Sequence, residues 1–195
     1  MINKFKLRRF ENEIVKLYEN KKIKSPIHLS GNNEDSLIKI FKKIKKNDWV
    51  FSSWRNHYHA LLHGISEKNL KKQIINGRSM SVCSKKPKFY SSSIVGGTLS
   101  IAVGAALSNK INKKKDKVWV FIGDMTYETG AFYECHKYAL QNNLNIFFVV
   151  EDNNMSTNTP TDSIWKNKKK KMRNVIKYKY KRKYPHHGTG NWILF

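Results

Sequence analysis

Acid is what this sequence is short of: 14 aspartates and glutamates stand against 38 lysines and arginines in 195 residues, a formal charge of +24. Cysteine is scarce too. Cys83 and Cys135 lie far apart without metal-type spacing, which excludes a disulfide framework and fits reduced thiols in a cytoplasm. No apolar run approaches the roughly 20 residues of a membrane-spanning helix. The basic start MINKFKLRRF is not followed by an apolar stretch, so no secretory signal is expected. The expectation is a soluble, cytoplasmic chain. What is present is a core: hydrophobic residues at 39% and aromatics at 12% exclude wholesale disorder. The length suits one domain, 1–195, and is too short for two of ordinary size.

The positive charge points first to nucleic acid. Against that, Lys, Asn, Ile, Phe and Tyr are all heavily used together, as AT-rich codons would produce, and the lysines are spread along the chain. The two clusters, 110–117 (KINKKKDK) and 166–171 (KNKKKK), fall between predicted elements, where solvated charge costs little. A basic nucleic-acid-binding protein is the least favoured reading, and docking of an acidic protein partner is at least as good an account of the charge.

Three regions are expected: a helical segment to about residue 47, a core at about 48–160, and a basic link with a terminal strand at about 161–195. Phe5, Ile14, Val15 and Tyr18 predict an amphipathic helix from Lys4 to Asn20. The segment 25–33 (SPIHLSGNN) is loop chemistry. Asp35 is expected to cap a helix running to Lys46, with Leu37, Ile38, Phe41 and Ile44 inward. Ser66 opens a short helix that Gly77 stops. Small apolar residues at 97–109 predict a buried helix packed tightly on a sheet. VWVFI (118–122) and NIFFVV (145–150) are continuous apolar runs of the kind buried on both faces of a parallel sheet. Between them a helix from Thr129 to Asn142, with Phe132, Cys135, Tyr138 and Ala139 inward, completes a βαβ unit. A last strand is predicted at 175–184. The fold class is α/β, a mainly parallel sheet flanked by helices.

In such sheets ligands gather at the carboxyl ends of strands. Gly123 and Asp124 end one strand, and Asn153 and Asn154 follow the next, so the βαβ connection sets Asp124 and Asn153 on one sheet edge. Each alone is ordinary turn chemistry. Together, a carboxylate and an amide oxygen beside a helix start at Thr129 suit a magnesium ion bound to a diphosphate. Magnesium takes oxygen ligands octahedrally, one or two from protein carboxylates and the rest from phosphate and water, and free N–H groups at a helix start take phosphate oxygens.

The segment GDMTYETGAFYECHKYALQNNLNIFFVVEDNNMSTNTP resembles the thiamine-diphosphate motif. With FSSWRNHYHALLHG and SSSIVGGTLSIAVGAALS in the same order, about residues 48–160 resemble the α subunit of the decarboxylating component of 2-oxoacid dehydrogenases, of the pyruvate dehydrogenase kind. The resemblance implies thiamine diphosphate and Mg2+ as cofactors. It implies Asp124, Asn153 and the backbone carbonyl of Met155 as metal ligands, and Arg55 as a diphosphate clamp. Trp54 stands where the family has tyrosine, and Ser93 where it has glycine. Val95 would face the aminopyrimidine with its backbone, while Gly123, Met125 and Thr126 would lie against phosphate. Met125 replaces a glycine, a costly change if that position needs positive φ. His57 matches the family's histidine and is a catalytic candidate, whereas His59 and His63 are read as incidental.

VIKYKYKRKYPHHG resembles the family's strand and histidine loop, which makes His186 or His187 a candidate for proton transfer or substrate contact. A surface His-His pair is an equal alternative. The family's activating glutamate belongs to a second, pyrimidine-binding domain, and Glu134 is expected to turn back into its own domain. The resemblance therefore implies a β-type partner chain in an α2β2 assembly, or at least a homodimer, acting on a small 2-oxo acid or sugar-like substrate. A lipoyl-type acyl carrier, oxygen, an aldehyde or a proton would be the acceptor. A transketolase-like half-subunit and a degenerate assembly or regulatory paralogue are the alternatives.

Overall fold

The computed structural model describes residues 2–165 and 171–193, so most of the lysine-rich 166–171 link lies outside the described residues. The chain opens with α1 (Lys4–Glu19), capped by the Asn3 side chain, which accepts from Lys6 N at 3.0 Å. Leu7, Phe10, Ile14 and Tyr18 form its buried stripe, while Phe5, expected inward, is exposed. α2 (Glu34–Phe41) begins at Asn33 rather than Asp35 and stops well before Lys46. β1 (Trp49–Ser52) and α3 (His57–His63) follow, then α4 (Glu67–Gln73), opened by Ser66 as expected through its hydroxyl on Asn69 N at 3.3 Å. A wide turn with Gly77 at φ +80° ends that helix, and two short strands succeed it, β2 (Cys83–Ser84) and β3 (Phe89–Ser91).

α5 (Gly97–Ile111) buries only one face, through Leu99, Ala102, Val103 and Ala106; Ile101 and Ile111 are exposed. β4 (Val118–Gly123) runs directly into a short helix, α6 (Asp124–Tyr127), which precedes α7 (Gly130–Gln141). α7 buries Phe132, His136 and Ala139 instead of Tyr138, which is exposed. β5 (Ile146–Asp152) leads to a small hairpin, β6 (Met155–Ser156) with β7 (Thr159–Pro160), then α8 (Thr161–Ile164) and β8 (Val175–Lys179).

Six strands form one sheet in the order β2-β3-β1-β4-β5-β8, parallel throughout except for β2 on β3. Alternate residues of β4 enter different clusters: Trp119 and Phe121 pack with α1 to α4, whereas Val118, Val120 and Ile122 pack with α5 and α7. Burial on both faces is why the run shows no alternation, and each such side chain contributes about 1.5–3 kcal/mol. Asp48, just before β1, locks the sheet's lower edge: its carboxylate accepts from Lys45 N at 2.9 Å, Lys117 N at 2.8 Å and Trp119 Nε1 at 3.1 Å. The segment after β8 crosses back over α1, where Tyr184 Oη donates to Asn12 Oδ1 at 3.4 Å and Asn191 Nδ2 to Glu19 Oε1 at 2.7 Å. Among the described residues no helix is long and apolar enough to cross a membrane, and both cysteines are free thiols.

Candidate functional site

The β4–β5 register pairs Gly123 with Glu151, so Asp124 and Asn153 emerge side by side at the carboxyl edge of two neighbouring central strands. A cleft of about 360 Å³ opens there. Its walls include Asp124, Asn153, Met155, Arg55, Trp54, Ser93, Val95, Gly123, Met125 and Thr126, which the sequence had scattered over a hundred positions. His186 lines it as well.

Asp124 is 2% exposed, and its Oδ2 accepts the hydroxyl proton of Thr161. Asn153 donates through Nδ2 to Tyr180 Oη at 3.2 Å and accepts from Met155 N at 2.9 Å through Oδ1. Carboxylate and amide oxygens at one edge of a cleft are the donor types a hard divalent cation takes. Space for a phosphate also exists: a Cβ at Gly123 would meet nothing within 4 Å. These residues fit a magnesium–diphosphate group. Met125 sits in α6 and is not among the residues with positive φ, so its side chain costs no backbone strain at this position. The expected phosphate-facing helix start shifts accordingly. α6 begins at Asp124, putting the N–H groups of Met125 and Thr126 in a first turn that lacks intrahelical partners, while the Thr129 hydroxyl is occupied capping α7 at Phe132 N, 3.3 Å away.

Arg55 is buried, donating to the backbone carbonyls of Leu29 and, at 3.4 Å, His186. Its guanidinium ties together the two loops that flank the cleft, and a fork of five N–H donors leaves it capacity for an anion as well. The two candidate histidines of the terminal loop separate: His186 is half-buried on the cleft wall, and His187 is exposed and outside the lining. His57 also lies outside the lining. It is wholly buried inside the core, with Nδ1 2.9 Å from Glu11 Oε2 and Nε2 3.0 Å from Ser79 Oγ, away from the cleft where a catalytic group was expected. Glu134, expected to turn inward, is exposed on α7. His59 Nε2 lies 3.2 Å from Glu151 Oε2 and His63 Nε2 3.2 Å from Asp48 O, and no cluster of three metal-ligating His, Cys, Asp or Glu occurs among the described residues.

Of the wall residues that escaped the sequence reading, three are titratable: His28, Glu151 and Tyr180. His28 came from a loop with no distinguishing pattern. It sits 5.0 Å from the His186 ring and 5.9 Å from Trp54, and its Nδ1 is buried without a partner. Burial, and then the Arg55 charge, lower its pKa from 6.5 to about 3, and the same two causes lower His186. Both imidazoles are therefore neutral near pH 7. Glu151 closes the floor, accepting from the Tyr178 hydroxyl; a charge at the tip of an apolar strand was the signal for it. Tyr180 follows β8, and its hydroxyl is pushed up to about 12 by burial and by the Glu151 charge.

Comparison with known proteins accords with this geometry. Residues 3–176 match the model of the family described as dehydrogenase E1 component. The chain is 30% identical over 162 residues to the chloroplastic pyruvate dehydrogenase E1 component subunit alpha-3 of Arabidopsis thaliana, covering 75% of this chain and 38% of that protein. It is 30% identical over 163 residues to the pyruvate dehydrogenase E1 component subunit alpha of Rickettsia prowazekii, covering 78% and 50%, and 27% identical to that of Rhizobium meliloti, covering 78% and 47%. The chain thus spans half or less of the length of these relatives. With a match over most of its residues and a mostly parallel sheet whose edge carries the matching motif, the chain belongs to the dehydrogenase E1 component family.

Proposed function

We propose that this chain is the magnesium- and diphosphate-binding, α-type subunit of a two-chain thiamine-diphosphate-dependent enzyme acting on a 2-oxo acid. The observation that carries this reading is the convergence of Asp124, Asn153 and Arg55 on one cleft at the carboxyl edge of the sheet. In this reading Asp124 Oδ, Asn153 Oδ1 and the Met155 carbonyl hold Mg2+, and Arg55 with the Met125 and Thr126 N–H groups takes the diphosphate. The thiazolium of bound thiamine diphosphate would supply the electron sink for loss of CO2 from the 2-oxo acid.

The chain's own part is binding, orientation and proton handling. Neutral His28 and His186, with Arg55 beside them, offer hydrogen bonds to a carboxylate or carbonyl at the cleft wall. Glu151 is engaged by Tyr178 and faces His59, which leaves it poorly placed to serve as the activating acid. That favours a glutamate from a β-type partner, and relatives named subunit alpha point the same way. Exposed Ile94 and Val95 at the cleft rim, with exposed Ile101 on α5, offer an apolar surface for such a partner.

Calorimetry of thiamine diphosphate binding to the complex with the β-type partner tests the reading. Binding should need Mg2+ and vanish in Asp124→Ala. Absence of metal-dependent binding in the wild-type complex sinks it.

A further inference from the structure

Resting on the proposed magnesium site, we propose that Thr161 makes Asp124 a one-oxygen metal ligand and thereby selects Mg2+ over Ca2+. Thr161 is 2% exposed, and its Oγ1 donates to Asp124 Oδ2 across 37 positions of chain. What carries it there is the segment that follows Asn153. Asn154 adopts φ +56°, β6 and β7 pair as a tight hairpin with Met155 opposite Pro160, and α8 starts at Thr161. The turn is anchored at its root, because Thr161 N donates to Asn154 O at 3.2 Å and Asp162 N to Asn154 Oδ1 at 3.1 Å. At its far end Trp165 Nε1 reaches Met125 Sδ at 3.3 Å, so the segment holds α6 at two neighbouring residues. One hydroxyl therefore joins the two strand tips whose side chains are the proposed ligands.

The consequence lies in coordination chemistry. Ca2+ takes six to eight oxygens at about 2.3–2.6 Å and readily uses both oxygens of a carboxylate, whereas Mg2+ keeps a strict octahedron at about 2.0–2.1 Å and uses one. A hydroxyl fixed on Oδ2 resists chelation through both oxygens and orients the carboxylate to present Oδ1 to the ion. Removing the hydroxyl while keeping the volume lifts this restraint on the second oxygen, which helps the larger ion and disorders the geometry the smaller one needs. Groups that orient a ligand in this way change metal affinity by about 10–100-fold.

The test is thiamine diphosphate binding to the full chain in its partner complex, titrated separately with Mg2+ and Ca2+. Wild type should prefer Mg2+. Thr161→Val should lose at least about tenfold of that preference, and Thr161→Ser should keep it. Thermal unfolding reports whether Thr161→Val is folded; if it is not, Thr161→Ala gives the same comparison. An unchanged Mg2+/Ca2+ ratio in a folded variant lacking the hydroxyl overturns the role of Thr161 alone. No binding with either ion in wild type overturns the metal site itself, and this selectivity with it.

Discussion

The side-chain amide of Asn153 donates to the hydroxyl of Tyr180 at 3.2 Å. The Met155 N–H, which can only donate, marks the other end of the amide as the oxygen at 2.9 Å, and the Tyr180 bond holds the amide in that orientation. Tyr180→Phe should keep the buried ring but let the amide rotate, lowering Mg2+-dependent thiamine diphosphate affinity about tenfold with little change in unfolding temperature. Calorimetry on the variant checks this; unaltered affinity would mean that the Met155 contact orients Asn153 by itself.

His57 belongs to the core. Glu11 accepts from Ser30 N with one oxygen and meets His57 with the other, and His57 continues to Ser79. Deleting the imidazole strands a buried carboxylate, so His57→Ala should cost about 3 kcal/mol of stability. Urea unfolding measures it. A loss under about 0.5 kcal/mol, the ordinary size of a surface substitution, would return His57 to the list of functional candidates.

Acid should destabilise the fold through histidines that are buried in their neutral form. His28 has a folded pKa of about 3 against 6.5 for an unfolded histidine, and those of His63 and His186 are also lowered by burial. Between those pH values the unfolded chain binds a proton that the native His28 does not. Stability is thus complete above about 6.5 and falls as pH drops, by up to about 1.4 kcal/mol per pH unit from this one group. His28→Asn should flatten the slope of unfolding free energy between pH 7 and 5, and identical slopes would refute the assignment.

Asp48 accepts three hydrogen bonds that fasten the entry of β1 to that of β4. Asp48→Ala should lower stability by about 2–3 kcal/mol, as expected for donors left facing no acceptor, and hydrogen exchange should quicken first at Lys117 and Trp119. Uniform exchange rates would count against a local clamp.

Much of this was legible beforehand because the central strands are buried on both faces. VWVFI and NIFFVV admit no other reading, and the two turn motifs at their tips fall on one edge by topology alone. The helices were legible only where one face decides. α2 ends early because Ile44 and Lys46 follow a turn, which periodicity does not register. Cys135 packs against the core as expected, but Tyr138 gave way to His136, whose Nε2 reaches Arg173 O at 2.8 Å, a tertiary partner that no local pattern reveals. β2 and β3 were too short to show a period. His28 and Tyr180 stayed hidden because their importance comes from what folds beside them. Thr161 is the extreme case, a threonine in a polar loop until the hairpin turns it onto Asp124.

The segment that crosses back over α1 has a bearing on the order of assembly. Tyr184 and Asn191 meet partners 172 positions earlier in the chain, and Tyr180 and His186 form one wall of the cleft. A nascent chain that has emerged as far as Asn153 already has its central strands and both side chains proposed to hold the metal, yet its pocket lacks a side. Contacts across such separations form late, after the entropy of closing a long loop has been met. The binding site is therefore finished after the sheet, and loading belongs to the end of folding, not to its nucleation.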